Sequence, residues 1–254
     1  NGMFAFAIFD ARDRTVFMAR DRAGEKPLFY QHRRGRLTFA SELKALLADP
    51  DTPRALEWGP LTYYLAFGYV PDGQCLLAGL NKLPQGHAMV YALEQDTLKT
   101  WPYWELPRAQ PDREVDDEAL LERLEGLLVD SVQRQLVADV PVGVLLSGGV
   151  DSSLVAALAA RVADRPIKTF TITFPGHGGH DEARYARQVA EHIGSEHVEL
   201  AAQDETVDLL PSLAAQYDEP IADSSMVPTF LVSRLVREHV TVALSGDGGD
   251  ELFG

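Results

Sequence analysis

Seven residues, Ser147 to Ser153, have the composition and the setting of a phosphate-binding loop. They read Ser-Gly-Gly-Val-Asp-Ser-Ser and lie between an apolar run typical of a buried strand and a segment with helical periodicity. A strand-to-helix turn of this kind directs free backbone N–H groups and the positive end of the helix dipole at one spot. Gly148 and Gly149 permit close approach of a ligand, and the serine hydroxyls add donors. The loop therefore predicts an anion site whose expected occupant is a phosphate group.

An acid inside this loop indicates a metal ion. No Gly-Lys-Ser/Thr follows the glycines, so the loop is not that of the P-loop nucleoside triphosphatases, in which a lysine reaches the terminal phosphates. Asp151 stands in the loop instead. A carboxylate beside a phosphate is favourable when a divalent cation lies between them, and Mg²⁺ demands oxygen ligands. We therefore predict that Asp151 binds Mg²⁺.

A second loop of glycines and acids follows a later apolar run. From Leu244 the chain reads Leu-Ser-Gly-Asp-Gly-Gly-Asp-Glu, with Asp247 and Asp250 as acids able to hold a cation or a cationic group. A loop of this kind on its own is more often a turn than a site. Paired with the first loop in one sheet, it becomes a specific signal.

The elements that must position these loops alternate between strand and helix. This alternation predicts a doubly wound parallel sheet covered on both faces. Ligands bind to such sheets beyond the carboxyl ends of the strands, where the strand order reverses. The predicted strands are Val142–Leu146, Ile167–Phe174, His197–Leu200 and Val240–Leu244, and the predicted helices are Leu154–Ala163, Asp181–Ile193 and Met226–Glu238.

Residues 1–105 have a different pattern, rich in β-strands. Met3–Asp10 and Thr15–Arg20 form a predicted hairpin, and Ser41 is a plausible cap for a short helix that ends near Leu47. Proline and polar residues then replace the strand pattern, which marks a domain boundary. We therefore predict a first domain at 1–105, a linker at 106–115 and a second domain at 116–254.

Composition limits the classes of partner. The chain has 254 residues, a net charge of −15 and one cysteine, Cys75. The negative charge argues against binding to nucleic acid or to an anionic membrane surface, because both need a basic surface. A single cysteine excludes an internal disulfide framework and fits a reducing, cytoplasmic setting. Any phosphate must therefore be held by local groups.

The first loop resembles the pyrophosphate-binding loop of the N-type ATP pyrophosphatases, which cleave ATP between its α and β phosphates to adenylylate a substrate. Other short sequence motifs, spread along essentially the whole chain, resemble those of glutamine-hydrolysing asparagine synthetases. The resemblance implies part of an α+β sandwich of the N-terminal-nucleophile type, belonging to a class II glutamine amidotransferase domain. An α/β doubly wound sheet of the adenine nucleotide alpha hydrolase-like type follows it. The matching phrases are Asn1–Phe6, Arg20–Leu28, Ala40–Leu46, Lys82–His87, Tyr217–Ser225 and Leu244–Glu251.

The resemblance implies roles for residues of both loops and of one further strand. Asp151 and Asp250 bind Mg²⁺, and Asp247 is the catalytic candidate that orients the acceptor or the intermediate. ATP is the expected cofactor. The residues assigned to its pyrophosphate are Ser147, Gly148, Gly149, Ser152 and Ser153. The residues placed around its adenosine, because they lie at strand ends facing one crevice, are Leu146, Ile172, Ser245 and Gly246.

The chain lacks the glutamine-hydrolysing nucleophile that the resemblance implies. That nucleophile is an N-terminal cysteine, whereas this sequence begins with Asn1 and ends in mid-phrase at Gly254. We expect the chain to be part of a longer protein. Cys75 has apolar neighbours, which favours a buried thiol over a nucleophile, and His87 is interpreted as a turn residue.

The predicted reaction is ATP-dependent synthesis of asparagine from aspartate and glutamine or ammonia, through β-aspartyl-AMP. The enzyme would be a ligase that releases AMP, pyrophosphate and glutamate. Its expected partners are these small molecules, without nucleic acid or membrane, and the resemblance is compatible with a homodimer. Two alternatives stay open: an amide-forming relative with another carboxylate acceptor, such as a β-lactam synthetase, and a non-catalytic nucleotide-binding regulator.

Two further segments have two interpretations each. Tyr217–Ser225 is either a plain helix cap or part of the site, and the resemblance favours the site. A helix beginning after Asp116 has an apolar stripe, for which we predict core packing and no chemistry. The stripe consists of Leu120, Leu121, Leu124, Leu127, Leu128, Val132 and Leu136.

Overall fold

The computed structural model describes residues 2–108, 116–173, 183–201 and 209–253. The chain divides into two compact units. Unit 1 comprises Asn1–Gln110 and Leu209–Asp223, and unit 2 comprises Pro111–Asp208 and Ser224–Gly254. This division differs from the order of the sequence at one stretch, because Leu209–Asp223 packs with unit 1 although the chain on both sides of it belongs to unit 2.

The elements, in chain order, are β1 (Ala5–Asp10), β2 (Thr15–Arg20), β3 (Phe29–Arg33), β4 (Arg36–Ala40), α1 (Leu43–Leu47), α2 (Trp58–Phe67), β5 (Asn81–Lys82), β6 (His87–Ala92), β7 (Thr97–Pro102), α3 (Asp117–Gln135), β8 (Val142–Leu145), α4 (Val150–Val162), β9 (Lys168–Thr173), α5 (Ala183–Ile193), β10 (Glu196–Ala201), α6 (Leu210–Gln216), α7 (Met226–Val236), β11 (Val242–Leu244) and α8 (Gly249–Phe253). Along the part of the chain that the structure describes, no helix is both long enough and apolar enough to cross a membrane.

Unit 1 contains two antiparallel sheets. One has the strand order β1-β2-β6-β7, and the other has the order β4-β3-β5. Met18 and Met89 are fully buried in the first sheet, where they pair across β2 and β6. The predicted hairpin is present, although its first strand begins at Ala5. Ser41 does not cap α1: the N-cap position is Glu42, which makes no side-chain cap hydrogen bond.

Unit 2 contains a parallel sheet with the order β10-β9-β8-β11. Residues alternate along β8, so Val144 packs with α4 and α5 on one face while Leu145 packs near α7 on the other. The prediction of a parallel sheet covered on both faces is confirmed. After β8 the chain adds β9 and β10 on one side and then returns to place β11 on the other side of β8. The strand order therefore reverses between β8 and β11, the position that favours a ligand site.

The apolar stripe of α3 is only partly core, which corrects the prediction made from its periodicity. Leu121 is 65% exposed and Leu127 is 60% exposed, whereas Val132 is buried. Helix α3 packs on the core of unit 2 through its second half, where Leu128 and Leu136 join Val132. Periodicity places these side chains on one face, but burial depends on what lies opposite that face.

Candidate functional site

Two neighbouring strands bring the two predicted loops together. Strand β8 leads into the Ser147 loop and β11 leads into the Ser245 loop, and these strands pair in parallel with Val144 opposite Leu244. The loops border a cavity of about 560 Å³ at the carboxyl ends of the strands. Most of the predicted residues line it, and Gly148 and Ser153 are the predicted residues outside that lining. The predicted residues that line it are Leu146, Ser147, Gly149, Asp151, Ser152, Ile172, Ser245, Gly246, Asp247 and Asp250.

The serine hydroxyls of the first loop brace the loop itself. Ser147 Oγ lies 2.9 Å from Ser152 Oγ and accepts a hydrogen bond from the Gly149 N–H at 3.2 Å. Ser152 Oγ also donates to the Gly149 carbonyl at 3.3 Å. Gly149 is the N-cap of α4 and makes no side-chain cap hydrogen bond. The first backbone N–H groups of the helix therefore have no side-chain acceptor at the cap and are suited to hold an anion.

Two glycines of the second loop let it lie directly against Asp151. A Cβ added at Gly249 would be 2.5 Å from Asp151 Cγ and Oδ2. A Cβ added at Gly246 would be 2.7 Å from the Ser152 backbone nitrogen. Real Cβ atoms do not approach other atoms so closely, so the two loops can be in contact only because these residues lack side chains. Gly149, by contrast, has room for a Cβ at 3.4 Å from Ser147 Oγ.

The Asp247 carboxylate has a fixed neighbour within its own loop. Ser245 Oγ donates to Asp247 Oδ2 at 2.9 Å, and the Asp247 N–H donates to Ser245 Oγ at 3.3 Å. This reciprocal pair orients the carboxylate at the cavity wall, since Ser245 and Asp247 both line the cavity.

Asp151 and Asp250, which both line the cavity, have the ligand chemistry that Mg²⁺ requires. Among the residues described, no group of three or more His, Cys, Asp or Glu side chains could hold a metal by itself. Mg²⁺ is usually bound by one or two carboxylates together with substrate phosphates and water. Two carboxylates that line one cavity together with the start of α4 match that requirement. Because Gly249 has no side chain, nothing at that position displaces the Asp151 carboxylate.

Helix α7 forms a wall of the cavity that the sequence did not identify. Pro228, Thr229, Val232 and Ser233 line the cavity together with the end of β9. The sequence predicted this helix but contained no local signal that its first turns face the loops. Side chains three or four residues apart share a helix face. The spacing therefore indicates which residues of α7 lie on one face, but not what that face packs against.

No residue of Tyr217–Ser225 is among those that line this cavity, and the role at the site that the resemblance favours stays a prediction. Its acids contact unit 1. Asp218 accepts a hydrogen bond from the Lys44 N–H at 3.1 Å, and Glu219 lies 2.5 Å from Lys82 Nζ. Both carboxylates therefore have structural partners within unit 1.

Cys75 is a buried thiol, as its apolar flanks predicted. It packs with Phe29 and Leu43, and it is 3% exposed. Burial, together with the nearby Glu219 carboxylate, raises the pKa of the Cys75 thiol to about 12. His87 begins β6, and its Nδ1 lies 2.8 Å from the Gln85 carbonyl, which agrees with a role in the turn.

We expect native Cys75 to react with iodoacetamide at least about a hundredfold more slowly at pH 8 than it does in urea. The thiolate is the reactive form, and a pKa near 12 leaves about one thiol in ten thousand ionised at pH 8. Reactivity should rise as the pH approaches that pKa. Mass spectrometry of timed samples measures the rate, with Cys75→Ser as the blank. Equal rates in buffer and urea, or Cys75-dependent release of glutamate from glutamine, would contradict this prediction.

Comparison with known proteins is consistent with the resemblance. The sequence matches the asparagine synthase family model over residues 123–254 and the glutamine amidotransferase domain model over residues 1–104. It is 36% identical to a Methanocaldococcus jannaschii protein provisionally named asparagine synthetase (glutamine-hydrolysing) 2, with 100% of this chain and 49% of that protein aligned. It is 33% identical to asparagine synthetase (glutamine-hydrolysing) 1 of Bacillus subtilis, with 100% of this chain and 39% of that protein aligned. The chain thus spans about half or less of the length of these relatives.

Proposed function

The chain belongs to the asparagine synthase family, and on that premise we propose that its protein makes asparagine from aspartate, ATP and glutamine or ammonia. One observation carries the proposal: two loops with phosphate-binding chemistry meet at a single cavity, with Gly246 and Gly249 seated against the residues around Asp151. A turn that only connects a strand to a helix does not require a second glycine loop packed this closely against it. Intact acids at 151 and 250 also argue against a non-catalytic regulator.

The proposed first step joins aspartate to AMP. An oxygen of the aspartate side-chain carboxylate attacks the α-phosphorus, and the bond from that phosphorus to pyrophosphate breaks. Backbone N–H groups at Gly148 and the start of α4 hold the pyrophosphate. Gly149, whose N–H donates to Ser147 Oγ, leaves room for it, and Ser147, Ser152 and Ser153 shape or extend the cradle. Leu146, Ile172, Ser245 and Gly246 surround the adenosine.

A Mg²⁺ ion held by Asp151 and Asp250 would supply positive charge that neutralises the departing pyrophosphate. We propose that Asp247, oriented by Ser245, positions the acceptor or the intermediate. In the second step the nitrogen of ammonia attacks the acyl carbon of β-aspartyl-AMP, AMP leaves with the electron pair of the broken C–O bond, and the nitrogen loses a proton.

We propose that unit 1 belongs to a glutamine amidotransferase domain with the N-terminal-nucleophile sandwich. Support comes from the amidotransferase model match over residues 1–104 and from the two antiparallel sheets of this unit. Its role would be to release ammonia from glutamine. The nucleophile for that reaction is not Cys75, whose thiol is buried and un-ionised near neutral pH.

The test is an ATP–pyrophosphate exchange assay on the full-length protein, with aspartate and other carboxylic acids offered in turn. We expect Mg²⁺-dependent exchange with aspartate and little exchange without an acceptor. The family match favours aspartate over the acceptors of β-lactam synthetases. Exchange with a different carboxylate and none with aspartate would identify that carboxylate as the acceptor. No exchange with any acid would support the alternative of a non-catalytic nucleotide-binding regulator.

We expect Asp151→Ala and Asp250→Ala to be strongly non-additive in the full-length protein. If both carboxylates hold one ion, the first loss disables the unit and leaves little for the second to remove. The exchange rates of the two single variants and the double variant measure the coupling. Effects that multiply would mean that the two acids act at separate places.

A further inference from the structure

Leu146, the residue that joins β8 to the Ser147 loop, has both of its backbone polar groups bonded to β9. Its N–H donates to the Phe170 carbonyl at 2.8 Å, and its carbonyl accepts a hydrogen bond from Thr171 Oγ1 at 2.5 Å. The regular pairing of β8 with β9 ends one residue earlier, with Leu145 opposite Phe170. The Thr171 side chain therefore continues the connection to β9 beyond the end of the strand, and all of these residues belong to unit 2.

The hydrogen bond between Thr171 and Leu146 is buried at both ends. Leu146 is 1% exposed and Thr171 is 3% exposed. A buried carbonyl that loses its donor keeps the cost of desolvation without the bond that compensates for it. If Thr171 lost its hydroxyl, the Leu146 carbonyl would therefore turn toward another donor or toward water.

A turn of the Leu146 carbonyl would also move the first N–H group of the loop. The Leu146 carbonyl and the Ser147 N–H belong to one rigid peptide plane. The Ser147 N–H donates to Ser152 Oγ at 3.3 Å, and Ser152 lies in the first turn of α4. Two hydrogen bonds and one peptide plane thus connect Thr171 on β9 to the start of the helix whose N–H groups are suited to hold an anion.

We infer that Thr171 is a positioning residue for the pyrophosphate site, acting through the peptide between Leu146 and Ser147 on the loop that follows. Thr171 lines the cavity, but its hydroxyl hydrogen is donated to the Leu146 carbonyl and not to a ligand. Its contribution is to fix the shape of the loop. This inference rests on the proposed function for the identity of the anion.

Thr169 provides a matched control on the same strand. It is fully buried and lies two residues before Thr171, so its side chain is on the same face of the sheet. Its hydroxyl lies 2.8 Å from Ser195 Oγ and 2.9 Å from His197 Nδ1, and neither partner lines the cavity. Thr169→Val thus removes a buried, hydrogen-bonded hydroxyl from β9 without removing a contact of the Ser147 loop.

The experiment measures the Kd of pyrophosphate with Mg²⁺ by calorimetry for full-length wild type, Thr171→Val, Thr171→Ser and Thr169→Val. Circular dichroism establishes that each variant is folded at the working temperature. Valine keeps the shape of threonine and is favourable in a strand. We expect the Kd to rise about tenfold in Thr171→Val, the effect of one lost hydrogen bond. It should stay within about twofold of wild type in Thr171→Ser, which keeps the hydroxyl, and in Thr169→Val.

Two outcomes of these measurements would overturn the inference. If Thr171 contacted the nucleoside directly, Thr171→Val would raise the Kd of adenosine and leave that of pyrophosphate unchanged. If Thr169→Val weakened pyrophosphate binding as much as Thr171→Val, the loss would follow from any missing hydroxyl of β9 and not from the bond to Leu146. Should Thr171→Val not fold, Thr171→Ala also removes the hydroxyl and should show the same rise.

Hydrogen exchange of the amides of residues 147–153 measures the loop without a ligand. Exchange should be faster in Thr171→Val than in wild type, and it should be unchanged in Thr171→Ser and Thr169→Val. Unchanged exchange in folded Thr171→Val would refute the inference. If wild type bound no pyrophosphate while exchange changed as expected, the proposed function alone would be refuted, because the role of Thr171 in holding the loop would still be demonstrated.

Discussion

Asp151→Asn in the full-length protein should lower ATP–pyrophosphate exchange by about a thousandfold while leaving the fold intact. The substitution keeps the shape of the side chain and removes its negative charge, so it removes a magnesium ligand without creating a cavity. Electrostatic groups of this kind contribute factors of about 10² to 10³ when one is removed. Asp151 lies in the first turn of α4, where losing an acid costs about 1 kcal/mol of helix stability or less.

The matched control is Asp117→Asn. Asp117 also lies in the first turn of a helix of unit 2, is exposed and does not line the cavity. It should lose the same small helix-dipole contribution and keep full exchange activity. Exchange at the wild-type rate in Asp151→Asn would exclude Asp151 from the metal and pyrophosphate site.

Gly249→Ala should lower exchange by about a hundredfold or more, although it adds a single methyl group. Gly249 begins α8 and its φ is not in the left-handed region, so alanine suits the backbone. The new Cβ would be 2.5 Å from Asp151 Cγ and Oδ2, so either the carboxylate or the second loop must move. A displacement of about 1 Å at a site that depends on orientation costs about a factor of 10².

Gly126→Ala provides the control for the Gly249 variant. Gly126 lies within α3, and a Cβ there would meet nothing within 4 Å. Replacing an interior helical glycine should stabilise unit 2 by about 0.5–1 kcal/mol and leave exchange unchanged. Full exchange activity in Gly249→Ala, with the alanine present in a folded protein, would show that the two loops are not packed together as described.

The sequence by itself determined the local parts of the site. A strand followed by Ser147–Ser153 and a helix specifies an anion-binding turn, because backbone N–H groups at a helix start depend only on neighbouring residues. It also indicated that the two loops share an edge, since the carboxyl ends of parallel strands lie on one side of a sheet. The burial of Cys75 followed from its apolar neighbours.

Only the tertiary structure decided which distant parts meet. That β11 pairs with β8, that Gly246 and Gly249 lie against the residues around Asp151, and that α7 closes a wall are long-range facts with no periodic signal. The same reason explains the corrections. Leu121 has the spacing of a core residue but is 65% exposed, and Glu219 lies in a site-like motif but pairs with Lys82 of unit 1. Local pattern specifies the face a side chain occupies, whereas burial and pairing depend on segments far away in the chain, which only the folded arrangement brings into contact.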